Sequence, residues 1–389
     1  MQCVRTGLEV LTEDRCAEVQ SGAWGLLAHA ASVDRNLRHA LARLEERGVD
    51  VPVLFGPEHG WSGAAQDMES VSTDGGTYRR VVSLYGSNES SLVPKDDDVS
   101  GLSGVIIDLQ DVGARYYTYA VTALYMLRSC AKFGLPVYIL DRPNPLGGTT
   151  VEGGSVASGY ESFVSAFPVP VRHGLTLAEL AAWAVAREGL HLDLRLVRMQ
   201  GWRRTMYFDE TGLPWVMPSP NMPTLDTAIV YPGGCLIEGT NLSEGRGTTR
   251  PFELIGAPWL PSTRFAEDTS VSAGPGVLFR PTEFKPMFQK HQGLQCGGLQ
   301  IHVMDRSRFS SLRTTVAQLI SAKHLAGGAF AWREEAYEFV RDRLAIDLLF
   351  GTDEPRRAIE SNASVSEVME LFSGFAEEFS ELRRSYLLY

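Results

Sequence analysis

Glu58 and His59 stand in LFGPEHGWSG, residues 54–63, just past an apolar pair and a Gly-Pro break. A carboxylate between glycines at a strand end has little packing value. The pair therefore reads as chemistry, an acid beside a base on a rigid bend. Three more polar clusters occupy comparable places. DLQDVGARYYTY supplies Asp108, Gln110, Asp111, Arg115, Tyr116, Tyr117 and Tyr119. DRPNPLGG supplies Asp141, Arg142 and Asn144, and EGTNLSEGRGTTRPFE supplies Glu238, Asn241, Glu244, Arg246 and Arg250. Carboxylates, tyrosines and arginines without a Cys/His metal set suit sugar chemistry. Glycoside hydrolysis needs an acid for the leaving oxygen and a second group for the oxocarbenium charge, usually two carboxyls roughly 5–10 Å apart. Aromatic faces fit sugar rings, and an arginine fork fits a carboxylate. The same residues also have structural uses. Asp108 can pair with an arginine, Asp111 can cap a helix, and Asp141 with Arg142 can hold a proline turn. The tyrosines can pack, His173 can cap a turn, and Glu244 can bridge to Arg246 or Arg250.

The elements that must position these clusters alternate over the first half. Strands are expected at 23–29, 51–55, 81–86, 104–110, 136–141 and 192–199, and helices at 35–48, 118–133 and 176–189. GVIIDLQ is almost continuously apolar, as in a sheet covered on both faces. The order implies an α/β fold, a Rossmann-like doubly wound parallel sheet. In such sheets ligands bind beyond the carboxyl ends of the strands, where the clusters should converge. No GxGxxG follows the first strand, so a dinucleotide site is not expected. From about 213 the texture turns proline-rich and then rich in Gly and Thr. Strands return after 276, with helices expected at 311–325, 332–345 and 365–378. This gives a first domain over 1–226 and a smaller α+β domain over 227–389.

The bulk numbers narrow the class. A chain of 389 residues suggests about two domains. Its net charge of -11 argues against nucleic acid as the main partner. No apolar run approaches the roughly 20 residues of a membrane span. The first residues carry acids and no apolar core, so no signal peptide is read and a cytoplasmic location is expected. The five cysteines are dispersed and read as reduced thiols. Oligomeric state is not legible.

The strings LFGPEHG, DLQDVGARYYTY, LDRPNPLGG, FPVPVRHGLTLAELA, TGLPWVMPSPNMPT and CLIEGTNLSEGRGTTRPFE resemble the NamZ-type exo-β-N-acetylmuramidases, in order and over nearly the whole chain. The resemblance implies release of N-acetylmuramic acid (MurNAc) from the non-reducing ends of peptidoglycan fragments during cell-wall turnover. It also implies a site in the cleft between a Rossmann-like domain and a smaller one, with neither metal nor organic cofactor. Residue by residue, Glu58 matches the catalytic glutamate and His59 a tuning partner. Glu69 and Asp74 match less regular acidic positions. Arg115, Tyr116 and Tyr119 match GARYYTY, Arg142 and Asn144 match DRPNP, and Asn241, Glu244 and Arg246 match TNLSEGRG. The expected catalytic set is Glu58, His59, Glu244 and Tyr116. Asp108, Asp111, Arg115, Tyr119, Arg142, Asn144, Asn241 and Arg246 are expected on the substrate. Glu244 is expected to face Glu58, and Arg142 or Arg246 to hold the lactyl carboxylate. Partial burial of Glu58 would favour the protonated form that a general acid needs. One departure stands out: AHAASVD follows the first strand where many members read close to TNPTGVD. Two other readings share the cleft, a muropeptide-binding protein without turnover and an amidase or deacetylase on the same sugar. Serine and zinc chemistry are disfavoured, since GxSxG and HExxH are both missing.

Overall fold

The computed structural model describes residues 3–63, 65–66, 69 and 79–389. Asp74 lies outside the described residues. Six strands form a parallel sheet: β1 (Ala23–Ala28), β2 (Asp50–Gly56), β3 (Arg80–Ser83), β4 (Gly104–Asp108), β5 (Val137–Leu140) and β6 (Leu194–Val197). Their order is β3-β2-β1-β4-β5-β6, so the winding reverses between β1 and β4. This is the doubly wound Rossmann order, with its crevice beyond the carboxyl ends of the strands. Alternation along each strand feeds two cores. Leu26, Leu54, Ile106, Tyr138 and Leu140 meet Leu8 and Leu11 of the helix Gly7–Asp14 and Leu44 of the short helix Ala40–Glu45. On the other face Leu27, Phe55, Val105, Ile107 and Ile139 meet the helices Tyr119–Phe133 and Leu177–Glu188.

The second half is built on an antiparallel sheet of β7 (Leu254–Ala257), β8 (Val277–Phe284) and β9 (Cys296–Val303), in the order β7-β9-β8. The helices Leu225–Gly234 and Ser311–Leu325 pack together, and Ser262–Ser272 packs on Ser311–Leu325, β8 and β9. The chain ends in the helix Val365–Leu382 and a tail that returns to the first half. There the Tyr389 hydroxyl donates to Asp141 at 2.8 Å, and Leu388 N–H donates to Glu179 at 2.7 Å. One apolar core runs through both halves. Among the described residues no helix is long and apolar enough to cross a membrane.

Three expectations need correction. The helix expected over 35–48 starts only at Ala40, because Asp34 takes the N–H groups of Asn36 and Arg38 and His39 caps Leu41. Leu37 is exposed, with a left-handed φ of 62°. The helix expected over 332–345 is instead irregular chain, followed by a helix from Ala345 to Phe350. A tight hairpin there pairs Tyr337 with Val340, and Trp332 bridges to Thr240. The strand expected over 81–86 ends at Ser83. The helices Gly7–Asp14, Leu225–Gly234, Ser262–Ser272 and Glu354–Glu360 and the short strand β7 are not among the elements expected from the sequence.

Candidate active site

The bend that carries Glu58 is fixed by sterics. A Cβ on Gly56 would lie 2.7 Å from the Trp61 nitrogen, so only glycine lets the chain fold back here. His59 takes a left-handed φ of 68°, and its ring Nδ1 donates to the Ala65 carbonyl at 2.8 Å. Glu58 is 4% exposed. Thr118, at the start of the helix Tyr119–Phe133, donates its hydroxyl to Glu58 Oε2 at 2.6 Å. The other oxygen, Oε1, is buried and has no hydrogen-bond partner among the described residues.

Glu58 lines a narrow cleft. The first half also contributes His59, Tyr116, Tyr117, Thr118, Ser219 and Asn221. Across from them stand Tyr231, Glu238, Arg246, Phe252, Tyr337 and Glu338. The aromatic wall is interlocked edge to face: Tyr231 sits 5.9 Å from both Tyr116 and Tyr117, and 4.9 Å from Phe252. Burial pushes the Tyr116 hydroxyl well above its usual range, and it donates to the Pro232 carbonyl. Tyr116 therefore contributes a ring to the cleft, while its oxygen is committed to the backbone.

Glu238 is the second carboxyl of the cleft. Its Oε1 meets Arg246 Nη2 at 2.6 Å, and its Oε2 accepts from the Tyr337 hydroxyl at 2.7 Å. Burial favours the neutral form. The Arg246 charge and hydrogen bond, with Tyr337 and Lys290, outweigh it and hold Glu238 below its ordinary range. The cleft thus contains one carboxyl with an unpartnered oxygen and another held as a carboxylate.

The remaining expected residues are placed elsewhere. Glu244 does not line the cleft, because its oxygens are taken by Lys290 at 3.0 Å and Arg246 at 3.4 Å. Arg115 is buried and donates to the carbonyls of Gly154, Val169 and Leu349. Those bonds tie the two halves together. Arg142 and Asp108 form a buried two-pronged ion pair at 2.5 and 2.7 Å, beside a separate small cavity. Tyr119 donates to the Pro218 carbonyl at 2.6 Å. Asn144 bonds Leu175 and Leu146 and fixes its own loop. Asn241 holds Ala329 and Ala331 on the outside of the second half. Asp111 accepts from Gly113 N–H at 2.6 Å, and burial pushes it up to about 7. His173 receives the Leu175 N–H and caps its turn.

The departing loop after β1 is also structural. His29 accepts from Gln110 N–H through Nε2, and Ser32 binds the Asp108 carbonyl. Its residues line the small cavity at the β1–β4 switch point, and none lines the cleft. Glu238, Thr118, Ser219, Asn221, Tyr337 and Glu338 line the cleft but were not among the expected site residues. Glu238 shares a string with Glu244 and was visible there. Tyr337 and Glu338 sit in AYEFV, which carries no local signal.

A doubly wound sheet with two unlike carboxyls in a tyrosine-walled cleft between its halves defines a class, an α/β protein equipped for carboxyl-based glycoside chemistry. Family models described as exo-beta-N-acetylmuramidase NamZ, N-terminal and C-terminal, match residues 24–226 and 229–389. The chain belongs to this NamZ family. It is 39% identical to the peptidoglycan beta-N-acetylmuramidase NamZ of Bacillus subtilis (strain 168), over 99% of this chain and 91% of that protein. Crystal structures of two DUF1343 family proteins from Bacteroides fragilis NCTC 9343 are similar. One has TM-score 0.90 and 30% identity, covering 99% of both chains. The other has TM-score 0.77 and 26% identity, covering 100% of this chain and 99% of that one.

Proposed function

We propose that this protein hydrolyses the bond joining a terminal MurNAc to the rest of a peptidoglycan fragment, with Glu58 as the general acid. The observation that carries the reading is the buried Glu58 oxygen, which has no partner among the described residues. An unsatisfied buried polar atom costs roughly 1–3 kcal/mol and calls for an explanation. A glycosidic oxygen that takes a proton from Glu58 supplies one. Thr118 holds the other oxygen and fixes the carboxyl's orientation. Glu238 is kept ionised by Arg246 and serves the cationic side of the reaction, against the oxocarbenium charge that grows as the leaving oxygen departs. Two carboxyls whose surroundings differ in this way divide the acid and anion roles between them. Tyr116, Tyr117 and Tyr231 supply faces for the ring, and Arg246, paired with Glu238, is the arginine on the cleft lining that an anionic lactyl group would meet.

The test is Glu58→Gln, assayed on MurNAc-GlcNAc and on a chromogenic MurNAc glycoside. Loss of a general acid costs about 10² to 10⁴ in rate. The folded variant should lose at least that on the disaccharide and still bind it. Near-normal turnover by folded Glu58→Gln removes Glu58 from the role. Binding of both compounds by the unaltered protein, without any release of MurNAc, supports the non-catalytic reading. Release of acetate or peptide supports the amidase or deacetylase.

A further inference from the structure

The second half carries a groove of about 590 Å³, far roomier than the narrow cleft and within the range of about 300–1,000 Å³ usual for small-molecule sites. Thr240, Asn241, Gln289, Trp332, Arg333 and Glu334 are on its lining. The groove and the cleft are neighbours. Arg333 lies over the ring of Tyr337, 5.2 Å from its centre, and Tyr337 lines the cleft. Trp332 is held in place from several sides. Its backbone bridges to Thr240, its indole N–H donates to Glu360 at 2.9 Å, and Phe330 packs edge to face at 5.0 Å. Gln289 and His291, also on the lining, take left-handed φ angles of 66° and 59°. Such angles on residues other than glycine cost energy and collect at ligand sites. The segment that carries Trp332 runs on into the hairpin of Tyr337 and Val340, where Glu338 and Phe339 are left-handed too, at φ 45° and 71°.

The charges of the groove select its ligand. Lys290 donates to the carbonyls of Ile237, Glu238 and Leu242 and to the Glu244 carboxylate. His291 Nε2 meets the Asn241 carbonyl at 2.7 Å, and Arg333 donates to the Ala336 carbonyl at 3.3 Å. The cations are thus engaged, while the acids Glu334 and Glu335 are exposed. An anionic peptide would meet those acids. A neutral sugar meets an amide at Gln289 and an indole at Trp332. The face of an aromatic ring carries partial negative charge and suits the C–H groups along one side of a pyranose. We propose that this groove is a second saccharide site, which takes the neutral GlcNAc-bearing part of a peptidoglycan fragment outside the catalytic cleft. The choice of sugar rests on the function proposed above. An enzyme that removes one terminal sugar leaves the rest of the fragment outside its cleft, and that remainder needs a surface.

The probe is chitotetraose, a chain of GlcNAc units without charge. It is titrated by calorimetry into the unaltered protein, Glu58→Gln, Trp332→Ala and Gln289→Ala. The unaltered protein and Glu58→Gln should bind it equally, and saturating free MurNAc should not displace it. Trp332→Ala should weaken its binding by about 5- to 30-fold, as truncation of an anchoring tryptophan does. The same variant should bind MurNAc as the unaltered protein does. A purely structural role for Trp332 would weaken both ligands together, and that result overturns the proposal. So does unchanged chitotetraose affinity in folded Trp332→Ala, displacement by MurNAc, or no binding by the unaltered protein at millimolar probe. If Trp332→Ala fails to fold, Gln289→Ala decides, since Gln289 is exposed. A loss of about 2- to 12-fold, the effect of one neutral hydrogen bond, supports the site, and unchanged affinity overturns it. Release of MurNAc from MurNAc-GlcNAc judges the proposed function apart from this titration, so either can fail alone.

Discussion

Arg246 reaches two acids at once, Glu238 and Glu244, and its guanidinium lies 5.1 Å from the centre of the Phe252 ring. Removing it outright would leave buried Glu238 without its salt-bridge partner while Glu244 kept Lys290, a loss of about 3–5 kcal/mol that endangers the fold. Arg246→Lys keeps the charge but loses the planar fork that matches a carboxylate. That variant should fold and should lose roughly 10- to 150-fold in kcat/KM on a MurNAc glycoside, equivalent to about 1.5–3 kcal/mol. Any weaker reaction on the corresponding GlcNAc glycoside should fall less. An unchanged MurNAc to GlcNAc ratio would show that shape or backbone amides read the lactyl group. Of the three arginines expected on the substrate, this one alone lines the cleft. Arg115 and Arg142 have identical chemistry, but carbonyl oxygens and Asp108 take them up.

Asp141 shows how the elements are joined. It stands at the end of β5 and accepts from Ala178 N–H, at the start of the helix Leu177–Glu188, and from the Tyr389 hydroxyl. Beside it a Cβ on Gly7 would lie 2.3 Å from the Asp141 nitrogen, so the first helix docks only through glycine. Burial raises Asp141 from 3.8 to about 7. The folded state thus holds its proton more tightly than the unfolded chain. The resulting stability is complete below about pH 4 and is lost as pH rises through 7, at about 1.4 kcal/mol per unit. Asp141→Asn removes this titration. Compared with the unaltered protein, the variant should gain stability between about pH 4 and pH 7 and level off above it. Urea midpoints across that range check it, and parallel curves for the two proteins would refute it. The helix misread over 332–345 has a related cause. Its residues pack against cleft and core, so tertiary contacts and a strained turn override their helical preference.

At the scale of the molecule, the apolar core continues from the first sheet into the second half, and Arg115, Ser165 and Arg383 cross between the two through backbone carbonyls. The two halves should therefore unfold together. Near-ultraviolet dichroism and tryptophan fluorescence should give coincident transitions under heat. Two resolved steps would mean that the cleft walls separate before either half melts.

Much of this molecule was settled along the chain. Strand and helix order, the apolar runs of β1 and β4, and the Gly-Pro break before Glu58 are local, because period and turn chemistry act over a few residues. They place Glu58 at the mouth of a parallel sheet. The folded structure decided which charged residues meet substrate and which meet each other. Glu238 and Glu244 lie six positions apart in one string, and only the turn Cys235–Gly239 aims the first into the cleft while Lys290 captures the second. Glu338 lies 280 positions beyond Glu58 in the numbering. Its place on the cleft wall comes from a hairpin packed against Tyr85, a long-range contact that no local pattern encodes.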